Sequence, residues 1–183
     1  MTPIGWSKFL YLAHFAKPKS DRAIFRAIKK RRVTKIVEIG LRDKDFTTNV
    51  VRASLKYCGD SKVSYTGIDL FESRPAGQTS FFLKDMYKSL SGNQLKVRLI
   101  PGDPMIGLSR FANTLTETEL MVISSDVDVE AMEQAWFFVP RMLSDDASVF
   151  VCSSTEGTPT AELLTLAEIE QRVAVSASTR RAA

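Results

Sequence analysis

Cysteine and histidine are almost missing from this chain of 183 residues, which holds two of the first and one of the second. Cys58 and Cys152 lie far apart, and neither belongs to a Cys-x-x-Cys or Cys/His cluster. That spacing excludes the usual zinc site and a disulfide framework, and leaves two buried thiols in a reducing compartment. The lone His14 sits in an apolar N-terminal segment, so it is read as structural or surface rather than as a metal ligand or triad base. Long apolar runs are missing too. The stretch around Trp136 to Val139 is far too short to span a bilayer, and the N-terminus lacks an apolar segment ahead of a small-residue cleavage site. A cytoplasmic protein with no membrane partner and no metal is expected.

With 44% hydrophobic and 25% charged residues, the chain falls in the range of one compact domain with a full core. The expected division is N-terminal helices over 1–32, a core over 33–152, and a C-terminal helix and strand over 153–183. The net charge of +4 conceals an asymmetry: the chain up to Lys35 carries +9, and the remainder −5. Lys29 to Arg32 could meet nucleic-acid phosphates, but the run falls at the end of an expected helix, where cations complement the macrodipole. A solvated helix end is preferred, and nucleic acid is not the expected partner.

Apolar residues at helical spacing predict a first helix from Ile4 to Phe15, broken by Pro18, and a second from a Ser20 cap through Lys30. Strand and helix then alternate. The expected strands are Lys35 to Ile39, Ser64 to Asp69, Val97 to Ile100, Leu120 to Ser124 and Ser148 to Cys152. Between them lie helices from a Thr47 or Thr48 cap to Tyr57, from Ser80 to Leu90, from Pro104 to about Asn113, and from Asp128 to Leu143 with a kink at Pro140. Beyond strand five the pattern predicts a loop over Ser153 to Pro159, a helix from a Thr160 cap to Gln171, a sixth strand over Arg172 to Ser176, and a frayed end from Ala177. Five strands rich in Val and Ile, separated by helices, imply an α/β, Rossmann-like three-layer sandwich with a mostly parallel sheet. Trp136-Phe137-Phe138 spread around most of a helix, so some are read as core, in preference to an aromatic substrate cage, and another is expected to face a helix or subunit. Phe81 and Phe82 are read as buried by a helix in preference to lining a substrate pocket.

Ligands of such sheets bind at the carboxyl ends of the strands, near the reversal of strand order. The loops there read Glu38-Ile39-Gly40-Leu41-Arg42-Asp43, Asp69-Leu70-Phe71-Glu72, Pro101-Gly102-Asp103-Pro104 and Ser124-Ser125-Asp126-Val127-Asp128. Gly40 lets backbone approach a ligand, an acid such as Asp69 can accept from both ribose hydroxyls, and Asp103 either caps a helix or accepts a ligand amino group. In order and spacing, Val37-Glu38-Ile39-Gly40, Gly67-Ile68-Asp69-Leu70-Phe71, Gly102-Asp103-Pro104 and Leu120-Met121-Val122-Ile123 resemble class I S-adenosylmethionine-dependent methyltransferases. The likeness is to the small-molecule O-methyltransferase-like branch and covers roughly Ser20 to Cys152. It implies a methyltransferase-type fold and S-adenosylmethionine as cofactor. Glu38 and Gly40 would flank its methionine part, Asp69 would hold the ribose, and Gly102 and Asp103 would border the adenine. Leu41, Leu70, Pro104 and Ser124 complete that binding set.

The departures bear on activity. Where the family's first loop carries a second glycine, this chain has Arg42, Asp43 and Lys44, of which Arg42 or Lys44 could pair with the cofactor's carboxylate. Val127 stands where the branch commonly has histidine, and strand five ends in Val151-Cys152-Ser153-Ser154, without acid or histidine. Both the metal site and the general base are therefore missing. Asp126, Asp128 and Asp43 are the only nearby acids to nominate as catalytic groups. Only 31 residues follow Cys152, a shortened C-terminal end whose open sheet edge a partner could close, as in a homodimer. Three readings compete: a methyltransferase acting on a small molecule, a catalytically inactive nucleoside-binding or assembly module, and a nucleic-acid binder using the basic N-terminal helices.

Overall fold

Strand β1 (Lys35–Ile39) is exposed at its first residue and buried along the other four, as befits the middle of a sheet covered on both faces. In the computed structural model, which describes the backbone of residues 1–155 and 158–182, it lies between β2 (Val63–Asp69) and β4 (Thr118–Ile123), parallel to both. Strand β3 (Leu95–Pro101) extends the sheet beyond β2, and β5 (Leu143–Thr155) beyond β4. The edge is β6 (Thr158–Leu163), antiparallel to β5, which gives the order β3-β2-β1-β4-β5-β6. The fold is α/β, with a six-stranded, mostly parallel sheet flanked by helices. Strand order reverses between β1 and β4, which opens a crevice at their carboxyl ends.

Alternation along the strands sorts two cores. Ile36, Tyr65, Leu120, Val122 and Phe150 pack on one face, under helices α1 (Trp6–His14), α2 (Asp21–Arg31), α3 (Lys44–Tyr57) and α4 (Leu83–Ser89). Val37, Ile39, Ile68, Met121 and Val149 pack on the other, against α5 (Pro104–Phe111), α6 (Val129–Ala135) and α7 (Leu166–Ala182). The N-terminal helices thus cover a sheet face. Among the described residues no helix is long and apolar enough to cross a membrane.

The first five expected strands stand, with β2, β3, β4 and β5 each beginning earlier than expected. Several helices differ. Helix α3 starts before Thr47, because the Asp43 carboxylate accepts from Phe46 N at 2.6 Å and caps it. Helix α6 ends at Ala135 and tightens into a 3₁₀ turn over Trp136–Phe138, so Pro140 lies past the helix and kinks nothing. Trp136 and Phe138 are buried, as expected, while Phe137 is 37% exposed. Phe81 and Phe82 precede α4 instead of being buried by it: Phe81 is partly buried on the first core and Phe82 is exposed.

The end of the chain departs most. The expected loop over 153–159 falls largely within the β5–β6 pairing, apart from Glu156 and Gly157, which lie outside the described residues. Thr160 belongs to β6, and the cap of the last helix is Thr165. Its hydroxyl accepts from Glu168 N at 3.3 Å while the Glu168 carboxylate accepts from Thr165 N at 2.6 Å, a reciprocal capping box. Arg172 to Ser176 is helix rather than strand, since Ile169, Val173 and Ser176 face inward at helical spacing. Helix α7 continues through Ala182, past the frayed end expected from Ala177, and Ala183 lies outside the described residues.

Candidate functional site

At the end of β1 the chain turns through Gly40, whose φ of 71° lies in the left-handed region. A Cβ there would stand 2.4 Å from Val127 Cγ2 and 3.1 Å from Ser124 Cβ. Glycine is demanded here by the β4–α6 loop, so the backbone surface that the sequence assigned to a ligand is covered by Val127.

Next to it lies Asp69, at the end of β2 and buried to 4% exposure. One carboxylate oxygen accepts from Leu41 N at 2.7 Å and from Arg74 Nη2; the other accepts from Phe71 N at 2.6 Å and Arg74 Nε at 2.9 Å. An ionised carboxylate offers about four lone-pair positions, so this one has none left for ribose hydroxyls. Arg74 is as fully engaged. Its remaining donors reach Leu41 O and, at 2.9 Å, Thr79 O; its guanidinium stacks 4.8 Å from the Phe81 ring; and Asp126 stands 3.7 Å away. Its side chain is 3% exposed. A bidentate pair this dry is held by geometry as well as charge.

What remains of the crevice is a cavity of about 30 Å³, bordered by Gly40, Leu70, Gly102, Asp103, Pro104 and Val127 among others. That is room for about one or two water molecules. The sequence therefore located a real convergence of loops, but the residues do not fit an adenosine group in this conformation. Gly102, with φ of 141°, places its N–H on Asp69 O at 2.9 Å, and the Asp103 carboxylate caps α5 by accepting from Ile106 N at 2.8 Å, with Pro104 in the first turn. Of the two uses foreseen for Asp103, capping is the one seen.

Glu38 does not belong to the crevice. As the alternation of β1 requires, its side chain lies on the α1–α4 face with Ile36, where it accepts from Tyr65 Oη at 2.8 Å and Thr47 Oγ1 at 2.9 Å. Burial raises its pKa to about 7, against the lowering effect of those two hydrogen bonds. Gly67, opposite Glu38 across the β1–β2 pair, leaves room for the Tyr65 hydroxyl, since a Cβ there would stand 2.9 Å from it.

Arg42 is not free to meet a carboxylate either. Its fork clamps Asp21 of α2 through two bonds of 2.8 Å, and it lies 4.0 Å above the Phe46 ring, tying the N-terminal helices to the β1–α3 loop. Of the acids nominated as catalytic, Asp43 caps α3 and Asp128 caps α6, accepting from Glu130 N at 2.9 Å. Asp126 is exposed, takes a 3.2 Å bond from Ser125 Oγ and lies beside Arg74. Ser124 is buried and its hydroxyl accepts from Asp126 N at 3.3 Å. Both cysteines are buried free thiols, and burial pushes Cys152 up to about 11. Among the described residues no group of three or more His, Cys, Asp or Glu is placed to hold a metal ion.

Sequence reasoning missed Arg74 and Tyr65. Arg74 sits in a loop with no periodicity to mark it, whereas Gly67 facing an acid was a readable sign that a large side chain crosses there.

A larger cavity of about 400 Å³ opens on the other side of Val127, at the end of β4 and beside Val151–Ser153 of β5, under α6 and α7. No family model and no curated protein matches the sequence. One solved structure, titled "A putative sam-dependent methyltransferase from Streptococcus mutans", aligns with a TM-score of 0.49 and 12% identity, over 86% of this chain and 39% of that one. The chain spans about two fifths of that structure's length.

Proposed function

We propose that the chain is a methyltransferase-like protein of the S-adenosylmethionine-dependent class whose nucleoside slot is held shut by its own arginine, so that in this form it serves as a binding module and transfers no methyl group. The observation that carries this reading is Arg74 on Asp69. The acid best placed to hold a ribose has both oxygens filled by protein donors, and the arginine that fills them is itself buried. Opening the slot would strand a buried carboxylate until the ligand's hydroxyls replaced a charged partner, an exchange that loses hydrogen-bond strength.

A second reading, an active methyltransferase for a small-molecule acceptor, is favoured by the convergence of Gly40, Leu41, Asp69, Gly102 and Asp103 at the point of strand reversal. It requires Arg74 to withdraw as the cofactor enters. Catalysis would then rest on aligning an activated acceptor, with Asp126 the remaining acid near the slot that caps no helix. Calorimetric titration with S-adenosylmethionine and S-adenosylhomocysteine separates the two. The first reading expects no heat and no thermal shift at millimolar ligand. Micromolar binding abolished by Asp69→Ala, with methyl transfer to a phenolic or carboxylate acceptor, would establish the second.

A further inference from the structure

The larger cavity differs from the closed slot in its charged groups. Arg172 of α7 lies with its guanidinium 5.2 Å from the ring of Trp136, and among the described residues it makes no hydrogen bond and no ion pair. Glu133, one turn before Trp136 on α6, is exposed on the same rim and is likewise without a hydrogen bond or ion pair among the described residues. Of the other acids nearby, Asp126 lines the cavity but lies beside Arg74, and Glu168, which feels the charge of Arg172, is held by the cap at Thr165. Inside, Trp136, Met132 and Val151 supply apolar wall, and Ser124 a hydroxyl at the base. A second cavity of about 320 Å³ shares Glu133, Trp136 and Arg172, so the same three residues border both spaces.

We infer that this cavity is a binding site for a small zwitterion with an apolar side chain, of the chemical class of a free hydrophobic amino acid. The match lies in the charges and their order. A guanidinium pre-oriented by an aromatic face offers a fork to a carboxylate. A solitary carboxylate on the same rim suits an ammonium, and a wall of tryptophan, methionine and valine suits the side chain. The volume falls in the range of small-ligand pockets, about 300–1,000 Å³. A simple anion would leave Glu133 opposing it and a simple amine would leave Arg172 opposing it, whereas a zwitterion meets both. The inference stands whether or not the neighbouring slot opens, because Val127 separates the two spaces and each has its own reporter.

The chain has two tryptophans, and Trp6 is 68% exposed, so Trp6→Phe leaves Trp136 as the sole tryptophan, excited at wavelengths beyond tyrosine absorption. In that background, L-phenylalanine, 3-phenylpropionate and 2-phenylethylamine are titrated by fluorescence, with calorimetry as a second readout. Saturable binding of L-phenylalanine is expected, weakened by about tenfold or more when either charged end is removed from the ligand. The same loss is expected in Arg172→Ala and in Glu133→Gln, exposed substitutions whose unchanged circular dichroism verifies folding. No saturable response to L-phenylalanine, equal affinity in Arg172→Ala, or 3-phenylpropionate binding as tightly as the amino acid would each overturn the inference.

Discussion

The two halves of the sheet's carboxyl edge are built to opposite rules. At the ends of β1, β2 and β3 the loops meet with every charged group answered from within the protein, and about 30 Å³ is left between them. Beyond β4, the β4–α6 loop and the Val151–Ser153 stretch of β5 surround about 400 Å³, and an arginine and a glutamate on the rim make no hydrogen bond or ion pair among the described residues. Topology alone would have favoured the first as the binding site, since it lies where strand order reverses. Its polar groups, counted donor by donor, identify it as a clasp. A carboxylate whose lone pairs are all engaged contributes stability and has no capacity left for a ligand.

The largest expected effect tests that clasp. Arg74→Ala leaves Asp69 buried and without its cation, and should cost about 3–5 kcal/mol of unfolding free energy. The double variant Asp69→Asn with Arg74→Met should lose less than the single, because no unpaired charge remains. Urea denaturation of the set measures both. Equal stability of Arg74→Ala and the parent would mean that the pair is not formed in solution.

Next comes the buried acid behind β1. Glu38 has a folded pKa of about 7 against an ordinary value of 4.5, so the folded state binds its proton more tightly than the unfolded one. Stability is then highest below about pH 4.5 as far as this group is concerned, and falls as pH rises toward 7 while the unfolded chain ionises first. The whole change is on the order of 3 kcal/mol. Glu38→Gln should flatten that slope between pH 4.5 and 7 in melts followed by circular dichroism. An unchanged slope would place the origin of the pH dependence elsewhere.

A smaller effect probes why Gly40 is glycine. Gly40→Ala forces a Cβ against Val127 at a positive φ, and a loss of about 1–3 kcal/mol is expected. Adding Val127→Ala should recover the steric part and leave the backbone part. No recovery on adding Val127→Ala would mean that Val127 is not what demands the glycine.

Much of the architecture was legible, since β-branched runs between helical stretches marked all five parallel strands. The ends of the elements were not. Val173 and Val175 imitate strand alternation, but Val173 serves a helix whose inward face is completed by Ile169 and Ser176, residues that only the tertiary packing identifies. The slot was half legible. The loops carrying Gly40, Asp69 and Asp103 do converge, and Glu38 could have been set apart from them, because it shares a strand face with Ile36 and not with Val37 and Ile39. Arg74 was hidden, because the four residues that separate it from the acid it fills turn back through a short 3₁₀ segment, Phe71–Ser73, and no local pattern encodes that return.

The central claim, that Arg74 keeps the nucleoside slot shut, is tested most directly by the Arg74 Nε–H resonance in a ¹⁵N-labelled sample. Held at 2.9 Å from Asp69 and shielded from solvent, that proton should exchange slowly and give a resolved signal. The account predicts that the signal neither moves nor fades on addition of millimolar S-adenosylmethionine. A signal that shifts or exchanges rapidly as S-adenosylmethionine is added would show the arginine leaving Asp69, and would contradict the closed slot.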